Sequence, residues 1–456
     1  MSDSTLPHHT DDRPPAQATL VPVTEADRIH TMDVARGFAL LGILCVNIWA
    51  FAFPLGVLFS PDPRPGDGPL GIALHTIERI FCAGKFYPLF ILLFGMGLAV
   101  QQVRAKAAGR PFLGLQARRL LVLACIGLTH IVALWYGDIL LTYAIIGLAV
   151  FWALGAKPRV LLSVALILML FGALLSGVFM GFTAGNQPAT TPDQPSAAAW
   201  VMPAEPFTLE GGSPVRHMLH VMGSDGFQGP NTPGWMDGEA IGLRDGPFLS
   251  AMAVRLLTYG MYLFFLVFGG WQMVGLMLIG SVLVQTRFLS NERAAWQRTA
   301  LLVAVVFGLP GVIAALYLEK MTGFGPKFAS AILGTLCAPL MSLGYLSLWA
   351  ILVRRGMLTG LTRLLAATGR MALTNYLTHT IVCTFVFQHW GLRQFASWST
   401  PQMYALVFGL YAVQLPLSAL WLSRFRFGPA EWVWRSLSYM RLQPMLRSGS
   451  AQSESD

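Results

Sequence analysis

The sequence predicts an all-α, polytopic integral membrane protein with about ten transmembrane helices in one bundle and both termini in the cytoplasm. Apolar residues make up 55% of the 456 residues and charged residues only 12%. The apolar residues form long stretches, most of them close to the ~17–25 residues that a helix needs to cross a bilayer. The loops between them alternate between many and few Lys and Arg residues, as expected of a chain that crosses a membrane repeatedly.

Each predicted transmembrane helix is an apolar stretch bounded by polar or charged segments. A chain crossing lipid must satisfy its own backbone hydrogen bonds, and a helix does so within one segment. The ten predicted spans are Gly37–Leu58, Phe86–Val103, Leu120–Trp135, Ile139–Leu154, Val160–Phe182, Tyr259–Val284, Thr299–Leu318, Phe328–Leu352, Met371–Gln388 and Gln402–Leu422.

The positive charges predict the orientation, because short loops rich in Lys and Arg stay in the cytoplasm. With the N-terminus inside, the cytoplasmic segments hold the larger part of the 31 Lys and Arg residues. The bacterial inner membrane is the expected location and the lipid bilayer the expected partner. The net charge of +9 is then a signal of topology and gives no reason to predict a nucleic-acid partner. The sequence leaves the oligomeric state open.

Changes in composition divide the chain into five parts, with boundaries at 1–27, 28–182, 183–250, 251–441 and 442–456. The first and last parts predict disordered tails, and the first contains no cleavable signal peptide. The second and fourth carry helices one to five and six to ten, followed by an amphipathic interfacial helix over Gly428–Met440. The middle part predicts an extracytoplasmic loop rich in Pro and Gly, interpreted either as a lid or binding surface or as a disordered insertion.

Several chemistries find no support in the sequence. Four of the five cysteines lie inside apolar spans and the fifth lies just before one. They include no C-x-x-C spacing, so neither a disulfide framework nor a zinc site is predicted. A phosphate-binding Gly-rich loop and the H-E-x-x-H and G-x-S-x-G motifs do not occur in a supporting context. We therefore predict no bound metal and no bound cofactor.

The first span contains three polar residues of interest. Asp33 and Arg36 are three residues apart and share a helix face, while Asn47 lies eleven residues beyond Arg36. In the structural interpretation, Asp33 caps the helix, Arg36 anchors it at the cytoplasmic surface and Asn47 bonds a neighbouring helix. In the functional interpretation, Asp33 and Arg36 form a cytoplasmic binding site for an anionic ligand, and Asn47 orients the reactive end of that ligand.

A histidine and an aspartate near the outer ends of spans three and four are candidate catalytic residues. His130 lies about one turn before Trp135, and Asp138 follows eight residues later, across a turn. A neutral imidazole can accept a proton from a hydroxyl or carry an acyl group, and a nearby carboxylate would fix its tautomer. The structural alternatives are a histidine satisfied by packing and an aspartate that caps the fourth helix.

Two further places carry candidate substrate-binding residues. Asn375 and His379 are one turn apart on the same face of the ninth span, within the membrane, where polar groups are costly and often functional. Arg118 and Arg119 lie at the inner end of the third span and are suited to the phosphates of an acyl donor. The presence of both arginines is also explained by the rule that positive charges stay on the cytoplasmic side. The presence of His379 is also explained by helix packing.

Five motifs in this chain resemble those of the YeiB-like bacterial membrane proteins, which carry domain of unknown function 418. The motifs are D-x-x-R-G-F-A-L-L-G-I-L-x-x-N from Asp33, Gly84-Lys85-Phe86 continuing to Gly97, Gly137-Asp138-Ile139-Leu140 continuing to Ala144, Gly369 to Leu377, and Phe427-Gly428-Pro429 continuing to Arg435. The resemblance covers residues 28 to 441. It implies a membrane fold but no established activity. We add Lys85, from the second motif, to the candidate substrate-binding residues.

The first two spans also resemble the start of the transmembrane acyltransferases of the heparan-alpha-glucosaminide N-acetyltransferase type. Asp33, Arg36, Gly37 and Asn47 match the first helix of that pattern, and the residues Phe86, Pro88, Phe90, Met96 and Gly97 match its second. The resemblance implies transfer of an acyl group. The histidine of that pattern is replaced by Leu58 or a neighbour, and the nearest histidine is His75.

Two classes of function follow from these residues. One is an enzyme that transfers an acyl group from a cytoplasmic acyl-CoA, acting as co-substrate, to a cell-envelope acceptor, with Arg36, Asn47 and His130 at its site. The other is a transporter or exporter of a small molecule or lipid-linked solute, whose central polar residues line the path. The donor, acceptor and solute are not specified by the sequence.

Overall fold

A computed structural model describes residues 29–58, 60, 62–109, 112–185, 197–202, 212–224 and 230–447. These residues form helices and connecting loops, and one isolated antiparallel bridge joins Phe425 to Leu446. The prediction of an all-α membrane protein is thereby confirmed. The first disordered tail, residues 1–27, lies outside the described residues.

The α-helices are numbered in chain order. They are α1 (His30–Ala52), α2 (Leu55–Leu58), α3 (Gly68–Phe81), α4 (Phe86–Ala107), α5 (Leu113–Ala133), α6 (Leu140–Val150), α7 (Pro158–Gly185), α8 (Pro214–Ser224), α9 (Pro233–Arg244), α10 (Phe248–Gln285), α11 (Ala294–Val303), α12 (Leu309–Glu319), α13 (Phe324–Arg354), α14 (Thr359–Arg370), α15 (Ala372–Phe387), α16 (Thr400–Arg424) and α17 (Pro429–Tyr439). A π-helical turn over Ala304–Gly308 joins α11 to α12.

Every predicted span coincides with a helix or a pair of joined helices. Within the described residues, eight helical segments are long and apolar enough to cross a membrane. The two remaining spans match α6 and α15, which are apolar but have only 11 and 16 residues. At 1.5 Å per residue they extend roughly 16 and 24 Å, less than the ~30 Å of a hydrocarbon core. The number of crossings and the side of each terminus therefore stay predictions.

The first span begins earlier and ends earlier than predicted. α1 starts at His30 and stops at Ala52, because Phe53 adopts the extended conformation that precedes Pro54. The chain then resumes as the short α2. We call the end of the bundle at which α1 begins the inner end, since it is the predicted cytoplasmic side. The opposite end is the outer end.

Two glycines allow α1 and the α14–α15 region to touch through their backbones. A Cβ atom at Gly37 would lie 2.1 Å from the Leu365 carbonyl oxygen, and one at Gly369 would lie 1.9 Å from the Asp33 carbonyl oxygen. Any larger residue would force the two segments apart. This contact fixes the inner end of α1 against the C-terminal half of α14, and both segments contribute to the site described below.

Two helices lie within the part of the chain predicted as a long Pro/Gly-rich loop. The described portions of 183–250 include α8 and α9. α9 fixes α2 through the fully buried Glu239, whose carboxylate accepts hydrogen bonds at 3.1 and 3.2 Å from the Leu55 backbone N–H. Burial raises the pKa of Glu239 to about 7, against the hydrogen bonds that favour its charged form.

The beginning of the predicted C-terminal tail is ordered. The Arg426 N–H donates to the Met445 carbonyl at 2.9 Å and the Arg447 N–H donates to the Arg424 carbonyl at 3.1 Å. Residues 442–447 therefore fold back on the end of α16, contrary to the prediction of disorder for this stretch. Residues 448–456 lie outside the described residues.

Candidate functional site

A cavity of about 240 Å³ lies at the inner end of the bundle. α1 lines it from Ile29 to Ile43, a length of roughly 21 Å at 1.5 Å per residue. The remaining walls come from α4, α5, α6, the junction of α14 and α15, and α17. A pocket built from helices of both halves of the chain is a common location for a ligand site in helical proteins.

All five sequence motifs contribute side chains to this one cavity. The lining residues from the motifs are Asp33, Arg36, Leu40, Ile43, Phe90, Phe94, Gly97, Ile139, Leu140, Tyr143, Gly369, Arg370, Ala372, Leu373, Tyr376, Phe427, Glu431, Trp434 and Arg435. These segments are separated by up to several hundred residues in the sequence. Their convergence on a single cavity makes it the candidate functional site.

Four arginines line the cavity near its inner opening, and two acidic residues accompany them. The arginines are Arg36, Arg119, Arg370 and Arg435, and the acids are Asp33 and Glu431. Arg36 pairs with Asp33 at 2.9 Å, one turn before it on α1. The lining therefore keeps an excess of positive charge, and the planar guanidinium group is well suited to bind phosphate or carboxylate oxygens.

The helix α17 positions Arg119 on the cavity wall. The Trp434 indole N–H donates to the Arg119 carbonyl at 2.9 Å, and the Arg119 guanidinium lies 4.7 Å from the centre of the Trp434 ring. Arg119 is 6% exposed, and its Nε atom has no hydrogen-bond partner among the described residues. The Nε–H donor of Arg119 is therefore left without an acceptor among these residues.

Glu431 attaches α17 to the beginning of α15. Its Oε1 atom accepts from the Leu373 N–H at 2.6 Å and the Thr374 N–H at 3.1 Å, and its Oε2 accepts from the Thr374 hydroxyl at 2.6 Å. Burial raises the pKa of Glu431, while these hydrogen bonds act in the opposite direction. A carboxylate at a helix N-terminus also interacts favourably with the helix dipole, so this side chain is accounted for structurally.

The inner arginines give way to an aromatic wall deeper in the cavity. Phe90, Phe94 and Tyr143 pack together, with ring centroids of the two phenylalanines 6.1 and 5.5 Å from that of Tyr143. Tyr376 lies beside them, and its hydroxyl donates to the Gly137 carbonyl at 3.2 Å. The cavity is therefore charged at its opening and mainly apolar at its end.

Tyr376 separates the cavity from the buried pair predicted from spans three and four. Its ring centroid lies 5.4 Å from that of His130. His130 Nδ1 lies 2.9 Å from Asp138 Oδ2, and both side chains are almost completely buried. The structure thus brings together His130 and Asp138. It also gives Asp138 its structural role, because Oδ1 accepts from the Leu141 N–H at 2.7 Å at the start of α6.

The second nitrogen of His130 faces a hydroxyl that the sequence did not single out. His130 Nε2 and Thr380 Oγ1 are 2.9 Å apart, and Thr380 is fully buried on α15. With the proton on Nδ1, the tautomer that an adjacent carboxylate favours, Nε2 is the acceptor in this contact and the Thr380 hydroxyl, which also faces the Tyr376 carbonyl at 3.5 Å, is the donor. A carboxylate, an imidazole and a hydroxyl in this order resemble the arrangement that general-base catalysis requires.

One face of α15 carries buried polar residues at intervals of four. Tyr376, Thr380, Thr384 and Gln388 follow each other toward the outer end, each no more than 3% exposed. The Thr384 hydroxyl donates to the Thr380 carbonyl at 2.7 Å. We call this set the α15 polar row. It runs from the end of the cavity past His130 to the outer end of the bundle.

Asn375 and His379 lie on a different face of α15, against α16. The Asn375 side-chain N–H group donates to Ser418 Oγ and to the Thr368 carbonyl, both at 3.1 Å. His379 Nε2 lies 2.6 Å from Gln414 Oε1. Neither residue lines the cavity. The structure therefore separates these two candidates from His130 and joins them to a helix–helix contact.

Three other candidate residues are not brought to the cavity. Asn47 is half-buried on α1, one turn beyond Ile43, the last α1 residue in the lining. Lys85 lies at the outer end, where its ammonium donates to the Arg79 carbonyl at 2.7 Å. Arg118 is exposed beside Arg119. Their proposed roles in substrate binding or catalysis stay predictions.

Residues that sequence reasoning did not select include Arg370, Tyr376 and Arg435 on the cavity wall and Thr380 beside His130. Arg370, Tyr376 and Arg435 belong to the family motifs, and this was the sequence feature that could have identified them. Thr380 carries no signal in the sequence, since a threonine in an apolar helix is ordinary. No group of three or more His, Cys, Asp or Glu side chains able to hold a metal occurs in the part of the chain that the structure describes.

The helical bundle and its cavity together define a multi-pass membrane protein with an arginine-lined pocket at one end. Comparison with known proteins supplies the family. The family described as "Protein of unknown function (DUF418)" matches residues 283–441. The chain is 31% identical to "Uncharacterized protein YeiB" of Escherichia coli (strain K12), over 93% of this chain and 100% of the relative.

Two further relatives have the same extent. "Uncharacterized protein YxaH" of Bacillus subtilis (strain 168) is 30% identical over 94% of this chain and 99% of its own length. An "Uncharacterized 39.9 kDa protein in amylase 3'region" of Bacillus acidopullulyticus is 26% identical over 93% of this chain and 98% of its own length. The chain therefore belongs to the DUF418 family that includes YeiB and YxaH, as its five motifs predicted.

Proposed function

We propose that the protein transfers an acyl group from a cytoplasmic acyl-CoA to a hydroxyl-bearing acceptor of the cell envelope. The observation that carries this proposal is a cavity lined by four arginines whose wall residue Tyr376 also packs against His130 of the His130–Asp138 pair. A binding protein would need the arginines but not a carboxylate-paired histidine adjacent to the deep end of its pocket.

The cavity offers a place for each part of an acyl-CoA. The arginines at its opening supply bidentate donors for the phosphates of the nucleotide portion. The apolar interior, with Phe90, Phe94 and Leu40 among its walls, favours burial of the pantetheine arm and the acyl chain. This arrangement directs the thioester toward Tyr376 and His130. Asn47, Lys85 and His379 take no part in the proposed chemistry.

In the proposed reaction, His130 acts as a general base and then as a general acid. Nε2 takes the proton of the acceptor hydroxyl, through the Thr380 hydroxyl or in its place, while the acceptor oxygen attacks the thioester carbonyl carbon. The tetrahedral intermediate then collapses, the carbon–sulfur bond breaks, and the imidazolium returns the proton to the departing thiolate. Asp138 holds the imidazole in the required tautomer and stabilises its charged form.

Binding of acyl-CoA is the first test. Purified wild-type protein in detergent should bind acetyl-CoA or a longer acyl-CoA, and Arg36→Ala should weaken that binding at least about tenfold by removing a charge-assisted contact. Arg118→Ala is the matched control, because Arg118 is an exposed neighbour of the same cavity. The proposal fails if no chain length binds, or if both variants lose affinity equally.

A transporter is the second candidate, and the α15 polar row is the observation that favours it. Hydroxyl and amide groups placed every four residues form a polar line along one face of the helix. For this function, protein in liposomes should move a solute, and Thr384→Val should slow the flux. Thr384 lies one turn beyond Thr380, outside the proposed acyl-transfer chemistry. Acyl transfer that survives this substitution, together with absence of flux, would reject transport.

A further inference from the structure

The outer end of the bundle contains a buried arginine that the proposed acyl transfer does not use. Arg255, in the second turn of α10, is 0% exposed. Its Nη1 atom lies 3.3 Å from the Leu134 carbonyl oxygen and 3.4 Å from Gln388 Oε1, both at the long end of the hydrogen-bonding range. The Phe248 ring lies 5.5 Å from the guanidinium. We call Arg255, Gln388 and His389 the outer donor cluster.

The outer donor cluster holds more donors than acceptors. Arg255 Nε and Nη2, Gln388 Nε2 and His389 Nδ1 are all buried atoms without a hydrogen-bond partner among the residues that the structure describes. No carboxylate within that same part of the chain forms a salt bridge with Arg255. Burial and the neighbouring Arg255 lower the pKa of His389, and a hydrogen bond with the Leu243 backbone acts in the opposite direction. His389 is therefore neutral at neutral pH and able to donate through one ring nitrogen.

An unpaired guanidinium is costly in such a place. A charge taken out of water is tolerated when an opposite charge or a full set of hydrogen bonds compensates for it. The Arg255 fork has two unused nitrogens side by side, which match the two oxygens of a carboxylate or phosphate group. The amide of Gln388 is positioned next to that fork through its contact with Nη1. The cluster thus has the composition of a binding site for an oxyanion.

A route to the surface passes two rings. Phe248 is 50% exposed, and its ring centroid lies 6.3 Å from that of the half-buried His389. The Phe248 ring lies against the guanidinium and reaches the surface. Rotation of this ring, a motion that side chains near a surface make rapidly, is the route by which we expect a ligand to enter.

We propose that the outer donor cluster binds an oxyanion, either a phosphate or a carboxylate group, against the Arg255 guanidinium. This site lies at the opposite end of the α15 polar row from the arginine-lined cavity, because Gln388 is the last residue of that row. It goes beyond the proposed acyl transfer, and its test does not depend on that activity. Its occupant is the oxyanion of a free solute or that of an anionic lipid headgroup.

The test measures the thermal midpoint of the purified full-length protein in nanodiscs. Inorganic phosphate and acetate are titrated separately at constant ionic strength, with chloride as the balancing anion. A ligand that binds only the folded state raises the midpoint saturably. Nanodiscs of phosphatidylcholine alone are compared with nanodiscs containing phosphatidylglycerol. If phosphate raises the midpoint in nanodiscs of phosphatidylcholine but not in those containing phosphatidylglycerol, the occupant is the lipid headgroup. If phosphate raises the midpoint in both, the occupant is a free solute.

Two substitutions locate the binding. Arg255→Gln should abolish the saturable rise, while Arg216→Gln, which removes an exposed arginine of α8, should leave it unchanged. Gln388→Glu places a carboxylate next to the guanidinium, so this variant should have a higher midpoint without added anion and no response to either probe. This variant keeps the proposal testable if Arg255→Gln does not fold.

The proposal is overturned by any of three results. The first is a wild-type protein that responds to neither probe in either nanodisc while Gln388→Glu lowers the midpoint. The second is an equal response in wild type and Arg255→Gln, which would show an adventitious ion only. The third is a Gln388→Glu variant that still responds as the wild type does, because its own carboxylate should already occupy the site.

Discussion

At the inner end of the bundle, charged side chains line a cavity of about 240 Å³, whereas Arg255 and Glu239 at the outer end are completely buried in protein. Arg36 at the inner end is paired with Asp33 and its side chain is 26% exposed. Arg255 at the outer end is 0% exposed and has no carboxylate partner among the described residues. The two ends therefore expose their charges to very different surroundings.

The difference indicates that the two ends are accessible to ligands in different ways. The inner end offers a formed pocket lined by several helices, which is the usual form of a ligand site. The outer end is covered, and α9 and α2 are held together there by the buried Glu239. Between them lies His130, adjacent to the cavity through Tyr376 and continuous with the α15 polar row. The following predictions test this asymmetry, beginning with the residue at its centre.

The largest effect is expected from His130→Gln. If His130 transfers the proton, its loss should reduce acyl transfer by about 10²–10⁴-fold, the usual contribution of a general acid–base group. His379→Gln is the matched control, because His379 is a buried histidine of the same bundle whose contact is with the Gln414 amide and not with a carboxylate. The measurement is the steady-state transfer rate of both variants, with thermal midpoints as a check of folding. Equal losses would remove the distinction between the two histidines.

The contact between His130 and Asp138 was predictable because it is local. The two residues flank one turn between adjacent helices, so their spacing alone made contact feasible. The spans were predictable for a similar reason, since apolar composition and length are properties of each segment by itself. The helices α8 and α9 were missed because they are short and lie in a segment whose Pro and Gly content predicted turns.

The cavity itself could not be derived from local pattern. Its motifs are spread from Asp33 to Arg435 and meet only through tertiary packing, such as the contact of Gly369 with the α1 backbone. Asn47 illustrates the limit. It continues the stripe of Arg36, Leu40 and Ile43 on α1, as its spacing predicted, but the cavity ends one turn before it. Only the packing of the neighbouring helices determines that depth.

The second prediction concerns the stability of the outer end. Glu239 has a pKa near 7 in the folded protein against 4.5 for its ordinary value, so the folded state binds the extra proton between these pH values. The free energy of unfolding should therefore fall as pH rises from 4.5 through 7, by up to about 3 kcal/mol. Glu239→Gln keeps an acceptor for the Leu55 N–H and should remove this dependence. Thermal midpoints of both proteins from pH 5 to pH 8 provide the measurement.

An unchanged pH dependence in Glu239→Gln would show that another group controls the stability of the folded protein in this range. It would also weaken the contrast between the two ends, because the enclosed carboxylate would then have water or a counter-charge available to it. A smaller slope in the variant than in the wild type, with the difference centred below pH 7, would instead support an enclosed outer end.

The third prediction concerns binding at the inner end. Arg36→Gln removes the charge and leaves only a shorter, neutral donor, so KM for acyl-CoA should rise about tenfold while kcat changes little, as for loss of uniform binding. Arg36 has no part in the proposed proton transfer at His130, which is why the rate constant should be spared. Arg118→Gln is the control for net charge at the same surface. A fall in kcat without a change in KM would place Arg36 near the reacting atoms instead.

The smallest effect is expected from Gly97→Ala, which probes the position of Arg36 without changing any charge. An added Cβ atom would lie 3.3 Å from Arg36 Nη2, close enough to displace the flexible end of that side chain by a few tenths of an ångström. Misalignment of one charge-assisted hydrogen bond should weaken acyl-CoA binding by about threefold, with stability unchanged. Gly114→Ala, at an open position on the neighbouring helix α5, should have no effect. Equal affinities of Gly97→Ala and the wild type would mean that the ligand does not depend on the guanidinium as positioned here, and the inner arginines would then act only through their summed charge.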